Sequence, residues 1–220
     1  MKKLVMYGNT EFAKMLTYYI KSDTKREIAF YTVDSQYMTT EEFNGMKIIP
    51  FEELVSMDGA NEKYEILICV GYKHMNNIRK SIYEKCKKSG FEIATYIHSS
   101  TRVPYGTVIG EGNIILEDVT IQPFCKIGDG NLIWYKAALA HNAVIGNFNT
   151  FGGTSSLSGF VTIGNNCYIG NNATIRDHIK VDDYTLIGAS TYVDEDTKKY
   201  SVHVPARGVV LAKNSIDMNL

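Results

Sequence analysis

Net charge is almost absent from this chain of 220 residues: 23 lysines and arginines stand against 24 acids, leaving −1. A balance so near zero offers no bulk electrostatic pull toward nucleic acid, whose partners gather a positive excess on one face. Cysteine is scarce and scattered. Cys69, Cys86, Cys125 and Cys167 form no CxxC pair, so neither a zinc ribbon nor a redox dithiol is indicated, and they read as small core residues. A long apolar run is missing from the amino terminus, where MKKLVMYGNTEF turns polar after a few residues. That is too short for a signal sequence or a membrane span, so a cytoplasmic protein is expected. With 45% hydrophobic and 21% charged residues the composition is otherwise that of a globular protein, with room for one large or two modest domains.

The second half also lacks apolar residues at the three- and four-residue spacings of a helix. In their place every sixth residue is apolar: Val103, Ile109, Ile115, Ile121, Ile127, Ile133, Leu139, Ile145, Phe151, Leu157, Ile163, Ile169, Ile175, Val181, Ile187 and Val193. At a 45% apolar frequency such a run arises by chance about once in 10⁵ to 10⁶ registers, so the repeat is real. Gly follows the aliphatic residue at 110, 128, 146, 152, 164, 170 and 188, and the fifth position of most units is small. Short strands joined by tight corners satisfy this period, with the aliphatic residue pointing inward and Gly or Asn allowing a positive φ at the corner. Three hexapeptides then close one triangular coil, and coils about 4.8 Å apart stack into a prism roughly 25 Å tall.

Residues 1–98 follow another grammar. KKLVMYG, EIAFYTVD, MKIIP, EILICVG and FEIATYI read as strands, separated by helical stretches such as TEFAKMLTYYIKSD and a helix of about seventeen residues after Gly71. Alternation of this kind predicts a small parallel Rossmann-like sheet, with ligands beyond the carboxyl ends of its strands. Tyr7, Gly8, Asn9, Thr10 and Asp34 are therefore candidate substrate-binding residues. One glycine stands where dinucleotide binders carry three, and Glu11 adds a negative charge, so a plain strand-to-helix turn fits equally well. Asn76 and Arg79 are possible substrate contacts or simply packing and capping residues.

Among the five histidines, His141 follows the inward Leu139 by two residues, which places it at a corner facing outward. An imidazole there can act as a general base, because it ionises near working pH, or it can simply bond a turn carbonyl. His178, in IRDHIK, reads as structural. A metal centre shared between copies would need a close histidine pair, and His141 has none within thirty residues, so no metal is expected. Arg207, with Lys198, Lys199 and Lys213 nearby, can meet the phosphates of a long cofactor or form a solvated basic tail.

The whole chain resembles the bacterial sugar acyltransferases of the PglD and NeuD type. The likeness is carried by LVMYG, GYKHMNNIR, IHSSTRV, the unbroken hexapeptides, AHNAVIGNF, SGFVTIGNNCYIG and the closing VPAR. It implies a Rossmann-like nucleotide-sugar domain (1–98) followed by a left-handed parallel β-helix (99–220), assembled as a homotrimer with active sites between subunits. It also implies acetyl-CoA as co-substrate and N-acetylation of a nucleotide-linked amino sugar for surface glycan biosynthesis, with His141 as base. O-acetylation of a sugar or glycan precursor, and a non-catalytic trimer that only binds, are the alternatives. Asn142 replaces the acid that often orients the base, while Thr150 and Trp134 replace residues near the acceptor in relatives. Gly159, Gly170, Asn171, Gly188, Ala189 and Arg207 match positions that line the acetyl-CoA groove, and Tyr7, Gly8, Asn9, Thr10 and Asp34 match those at the nucleotide.

Overall fold

The computed structural model describes residues 2–208 together with Ala212 and Ile216, so Lys213 lies outside the described residues. The amino-terminal unit has strands β1 (Lys3–Tyr7), β2 (Ile28–Val33), β3 (Glu42–Phe43), β4 (Met46–Pro50), β5 (Tyr64–Ile68) and β6 (Glu92–Ile93). Its helices are α1 (Glu11–Asp23), α2 (Phe51–Ser56), α3 (Ala60–Lys63) and α4 (Asn77–Lys88). The sheet runs β3-β4-β2-β1-β5-β6 and is parallel except for the β3–β4 pair. Alternation along β1 sorts the layers: Leu4 and Met6 pack against Ala13, Leu16 and Ile20 of α1, whereas Val5 and Tyr7 join Phe51, Leu54 and Cys86 on the other face.

Two elements differ from expectation. His74, Met75 and Asn76 are left-handed, with φ of 54°, 51° and 63°, so α4 begins at Asn77 and spans 12 residues. A run of left-handed residues cannot continue a right-handed helix. The segment FEIATYI also splits: β6 pairs with β5, but β7 (Tyr96–Ile97) already pairs with Ile114–Ile115 of the column.

The column has three flat faces made of two-residue strands. The first runs from β7 through Ile114–Ile115, Leu132–Ile133, Thr150–Phe151, Tyr168–Ile169 and Leu186–Ile187 to Val202–His203. The second holds Thr120–Ile121 to Tyr192–Val193, and the third Val108–Ile109 to Lys180–Val181. Within the run of repeats each strand pairs in parallel with one 18 residues away, which is three hexapeptides per turn. The inward positions from Ile115 to Val193 form one buried core. Val103 does not join it and is 41% exposed, since the first coil has a neighbour on one side only.

The glycines that follow the aliphatic residue serve close approach. Those at 110, 128, 146, 152, 164 and 170 have no positive φ; a Cβ on Gly146 would instead come within 2.5 Å of the Gly164 carbonyl oxygen. Positive φ belongs to the residue two places later, from Asp118 and Phe124 through Asn142, Phe160 and His178 to Ser190. At the corner between the third and first faces the buried Asn113, Asn131 and Asn149 form a ladder, each Oδ1 accepting the backbone N–H 18 residues on.

The α/β unit sits on the first face, where outward-pointing Ile114, Leu116 and Leu132 complete the α1 core. Polar clamps fasten it. Asp23 at the end of α1 accepts hydrogen bonds from the Tyr96 hydroxyl (2.9 Å) and the Ser99 N–H (3.1 Å). Glu111 accepts from Tyr83 and Lys87, and Asn76 Oδ1 accepts from the Thr150 hydroxyl at 2.7 Å. Among the described residues no helix is long and apolar enough to cross a membrane.

Candidate active site

The 18-residue register stacks side chains vertically at each corner. At the corner between the second and third faces, Pro123, His141, Gly159 and Asp177 share one row, and Phe124, Asn142, Phe160 and His178 share the next, the left-handed row. His141 is exposed and outward-facing. Its backbone N–H donates to Gln122 Oε1 at 2.9 Å, and its ring Nδ1 lies 3.1 Å from Asn142 Oδ1. An amide oxygen can only accept, so it selects the tautomer with hydrogen on Nδ1 and leaves the Nε2 lone pair free.

Nε2 lies over Gly159. A Cβ built there would stand 2.8 Å from His141 Cε1 and 2.9 Å from Nε2, so glycine alone leaves room for the ring. Gly159 is half-buried, and its N–H meets no acceptor among the described residues. Phe160 meets the imidazole perpendicularly (centroids 5.2 Å, 87°), and His178 stacks on Phe160 at 4.8 Å and 6°.

A second arrangement occupies the corner between the first and second faces. A groove of about 270 Å³ is lined by Tyr72, Trp134, Tyr135, Gly152, Gly153, Tyr168 and Asn171. It adjoins a hollow of about 360 Å³ walled by Glu11, Phe12, Met15, Gly71, Tyr72 and Trp134, at the start of α1. A larger hollow of about 630 Å³ lies at the opposite, amino ends of β1 and β2, where Lys3 and Glu27 of its lining form an ion pair. Gly170, Gly188 and Ala189 share the corner of the first groove, with the Ala189 backbone nitrogen 2.5 Å from where a Gly170 Cβ would lie. The matched cofactor residues are thus divided: Gly159 stands beside His141, and Gly170, Asn171, Gly188 and Ala189 stand one face away. Arg207 is exposed, four residues past His203, whose carbonyl accepts the Gly188 N–H at 2.7 Å.

The residues expected at the nucleotide are partly committed elsewhere. Gly8 is buried at φ 128°, with a Cβ excluded by the Cys69 carbonyl oxygen at 2.8 Å. Thr10 is the exposed N-cap of α1 and its hydroxyl makes no capping bond. The Tyr7 ring is buried, and its hydroxyl bonds Asp34, which also pairs with Lys85 from α4. Burial, reinforced by Asp34, pushes the Tyr7 phenol far above its ordinary range. Lys85, Tyr72 and Tyr168 were not foreseen, because only tertiary packing distinguishes them from other lysines and tyrosines. Phe160 was within reach, being one residue past the 18-residue step from His141.

Trp134 lines the groove, whereas Thr150 is buried beneath Asn76. Asn76 and Arg79 are buried at the junction of unit and column rather than open to a ligand. Burial holds the Arg79 guanidinium down at about 10. All four cysteines are buried and free, as their spacing suggested.

Residues 106–141, 142–177 and 160–195 match the bacterial transferase hexapeptide family of six repeats. Residues 106–195 are thus a run of bacterial transferase hexapeptide repeats. The acetyltransferase domain of PglB from Neisseria gonorrhoeae FA1090 is similar over 93% of this chain and 97% of its own, at 22% identity and a TM-score of 0.79; it has also been solved with acetyl coenzyme A. PerB from Caulobacter crescentus, solved with CoA and GDP-perosamine, is similar over 93% and 95% of the two chains, at 20% identity and a TM-score of 0.82. What these structures share with this chain is the fold, a small α/β sheet leading into a left-handed parallel β-helix.

Proposed function

We propose that the chain is an acetyl-CoA-dependent N-acetyltransferase of a nucleotide-linked amino sugar, with His141 as general base. The observation that carries this reading is the His141 imidazole, held at Nδ1 by Asn142 with Nε2 free beside Gly159, whose N–H meets no acceptor among the described residues. Nε2 takes a proton from the sugar amine as its nitrogen attacks the thioester carbonyl. The oxygen of the tetrahedral intermediate gains negative charge and, in this reading, accepts a hydrogen bond donated by the Gly159 N–H. Collapse breaks the carbon–sulfur bond, and the imidazolium returns its proton to the departing thiolate. No covalent bond to the protein is formed.

The aromatic groove is the acceptor's seat in this reading; PerB, a structure of the same fold solved with GDP-perosamine and CoA, supports the class of acceptor and co-substrate. Tyr135 in the groove and His141 lie six residues apart along one face, on the order of 20 Å for extended chain. A site that uses both is most simply completed by a second copy, as in a closed trimer.

Thiol release from acetyl-CoA, measured against UDP- and GDP-linked amino and hydroxy sugars, tests the proposal. Turnover with an amino sugar, falling about 10²-fold or more in His141→Ala, is the expected result. Turnover confined to hydroxy sugars would make the enzyme an O-acetyltransferase, and full activity in His141→Ala would remove the base.

A further inference from the structure

We infer that Phe160, braced by His178, is a positioning residue for the His141 imidazole; this inference rests on the proposal that His141 is the base. Both rings stand at the left-handed corner position of successive coils, at φ 60° and 63°, directly above Asn142 at 60°. Bulky residues rarely occupy that conformation, which crowds the Cβ against the following carbonyl oxygen. Here it aims three side chains outward in one vertical row.

The imidazole would otherwise be free to swing. It is exposed, and among the described residues its ring has one hydrogen-bond partner, Asn142, which constrains Nδ1 alone. Gly159 gives it a floor and no wall. The wall is Phe160, whose ring meets the imidazole at 87°, a perpendicular geometry favoured between aromatic rings. Phe160 is itself 47% exposed and has few restraints, but the His178 ring covers it in near-parallel stacking at 4.8 Å, the spacing of one coil. The order of support runs His178, Phe160, His141, over three coils. Neither supporting ring needs to touch the substrate.

The repeat supplies clean substitutions. Asn occupies the same left-handed position at 166 and 172, and Tyr at 184, so the backbone accepts either residue. Phe160→Asn should lower kcat about 10-fold or more with little change in the KM for acetyl-CoA, because loss of reacting geometry is paid in rate rather than in binding. Phe160→Tyr should restore most of the rate, and His178→Asn should produce a smaller loss in the same direction. Nitrogen-15 NMR of the folded protein gives a readout that needs no acceptor: His141 should be a single Nδ1–H tautomer in the parent and a mixture in Phe160→Asn. Parent-like kcat and tautomer in Phe160→Asn would overturn the inference. If His141→Ala were equally active, the base itself would be wrong, so the two failures are distinguishable.

Discussion

Gly159→Ala isolates the catalytic geometry from the stability of the column. Gly159 has no positive φ, so alanine is acceptable to the backbone, and the added methyl meets only the end of one side chain. It would lie 2.8 Å from His141 Cε1 and 2.9 Å from Nε2, whereas ordinary contact begins at 3.4 Å, so the ring must retreat by at least about 0.5 Å. An exposed ring can do so cheaply and Tm should hardly change. Displacement of a reacting group by about 1 Å costs on the order of 10²-fold in rate, so half that distance predicts a kcat loss of about 10-fold or more, or at least ~1.4 kcal/mol on the barrier. Gly146→Ala is the contrast: its methyl would meet the Gly164 carbonyl oxygen at 2.5 Å, a backbone atom that cannot step aside, and should destabilise the fold. Steady-state thiol release paired with thermal melts reads both quantities. A Gly159→Ala protein with parent kcat and parent Tm would show that Nε2 above Gly159 takes no part in the reaction.

Four further outcomes are expected. Burial tends to raise the carboxyl groups of Asp23 and Glu111, but hydrogen bonds from Ser99 and Tyr96 to the former, and from Lys87 and Tyr83 to the latter, outweigh it and hold both below their ordinary values of 3.8 and 4.5. Their stabilisation is therefore complete above about pH 4.5 and lost as pH falls through the lowered values, so urea midpoints should drop in acid, and by less in Asp23→Asn. Burial pushes all four thiols up, those of Cys86 and Cys167 to about 12, so a disulfide reagent at neutral pH should titrate none until the protein is unfolded. Asn131→Ala leaves the buried Asn149 N–H without its acceptor and should cost about 2 kcal/mol in denaturant titrations; a loss under ~0.5 would mean the ladder adds little. Co-expression of His141→Ala with Trp134→Ala should regenerate about a quarter of the sites if each site draws one corner from each of two copies, and none if one chain supplies both.

The period of six made the column legible, because an aliphatic core in triangular coils demands it and no other regular structure does. The glycines that follow the aliphatic residue serve close approach, while the positive φ expected of Gly or Asn at the corner falls at Gly106, Gly112, Gly130, Asn142, Asn166 and Asn172, two places later in the unit. A missing Cβ serves both positive φ and close approach, and sequence alone cannot distinguish them; the structure assigns close approach to Gly146 and positive φ to residues as bulky as Phe160. The late start of α4 escaped notice because the contacts that hold the 74–76 turn, such as Met75 O to Asn166 Nδ2 at 2.9 Å, come from residues some 90 positions away. In the site, His141 and its neighbour Asn142 were visible as a pair. The division of the matched cofactor residues was also within reach, since 159 lies one 18-residue step from 141, whereas 170 and 188 fall in register with Trp134 and Gly152. Lys85 was not: nothing in KSIYEKCKK marks the lysine that packs over the Tyr7 and Phe51 rings to reach Asp34.

That arithmetic of eighteen also accounts for how one repeat carries unlike tasks. The core asks for an aliphatic residue at one position in six and a small one at another, which leaves the corner residues free of packing duty. Because each corner recurs every 18 residues, substitutions there build vertical rows rather than scattered points. One corner stacks asparagines whose amides bond from coil to coil and turn an exposed seam into a buried ladder. A second stacks small and aromatic residues against Tyr72 and opens a groove where the α/β unit meets the column. The third stacks His141, Phe160 and His178 over a glycine that leaves room for one imidazole. Ladder, groove and imidazole therefore lie on separate edges of the prism, and under the proposed function a reaction that joins the last two draws them from different copies.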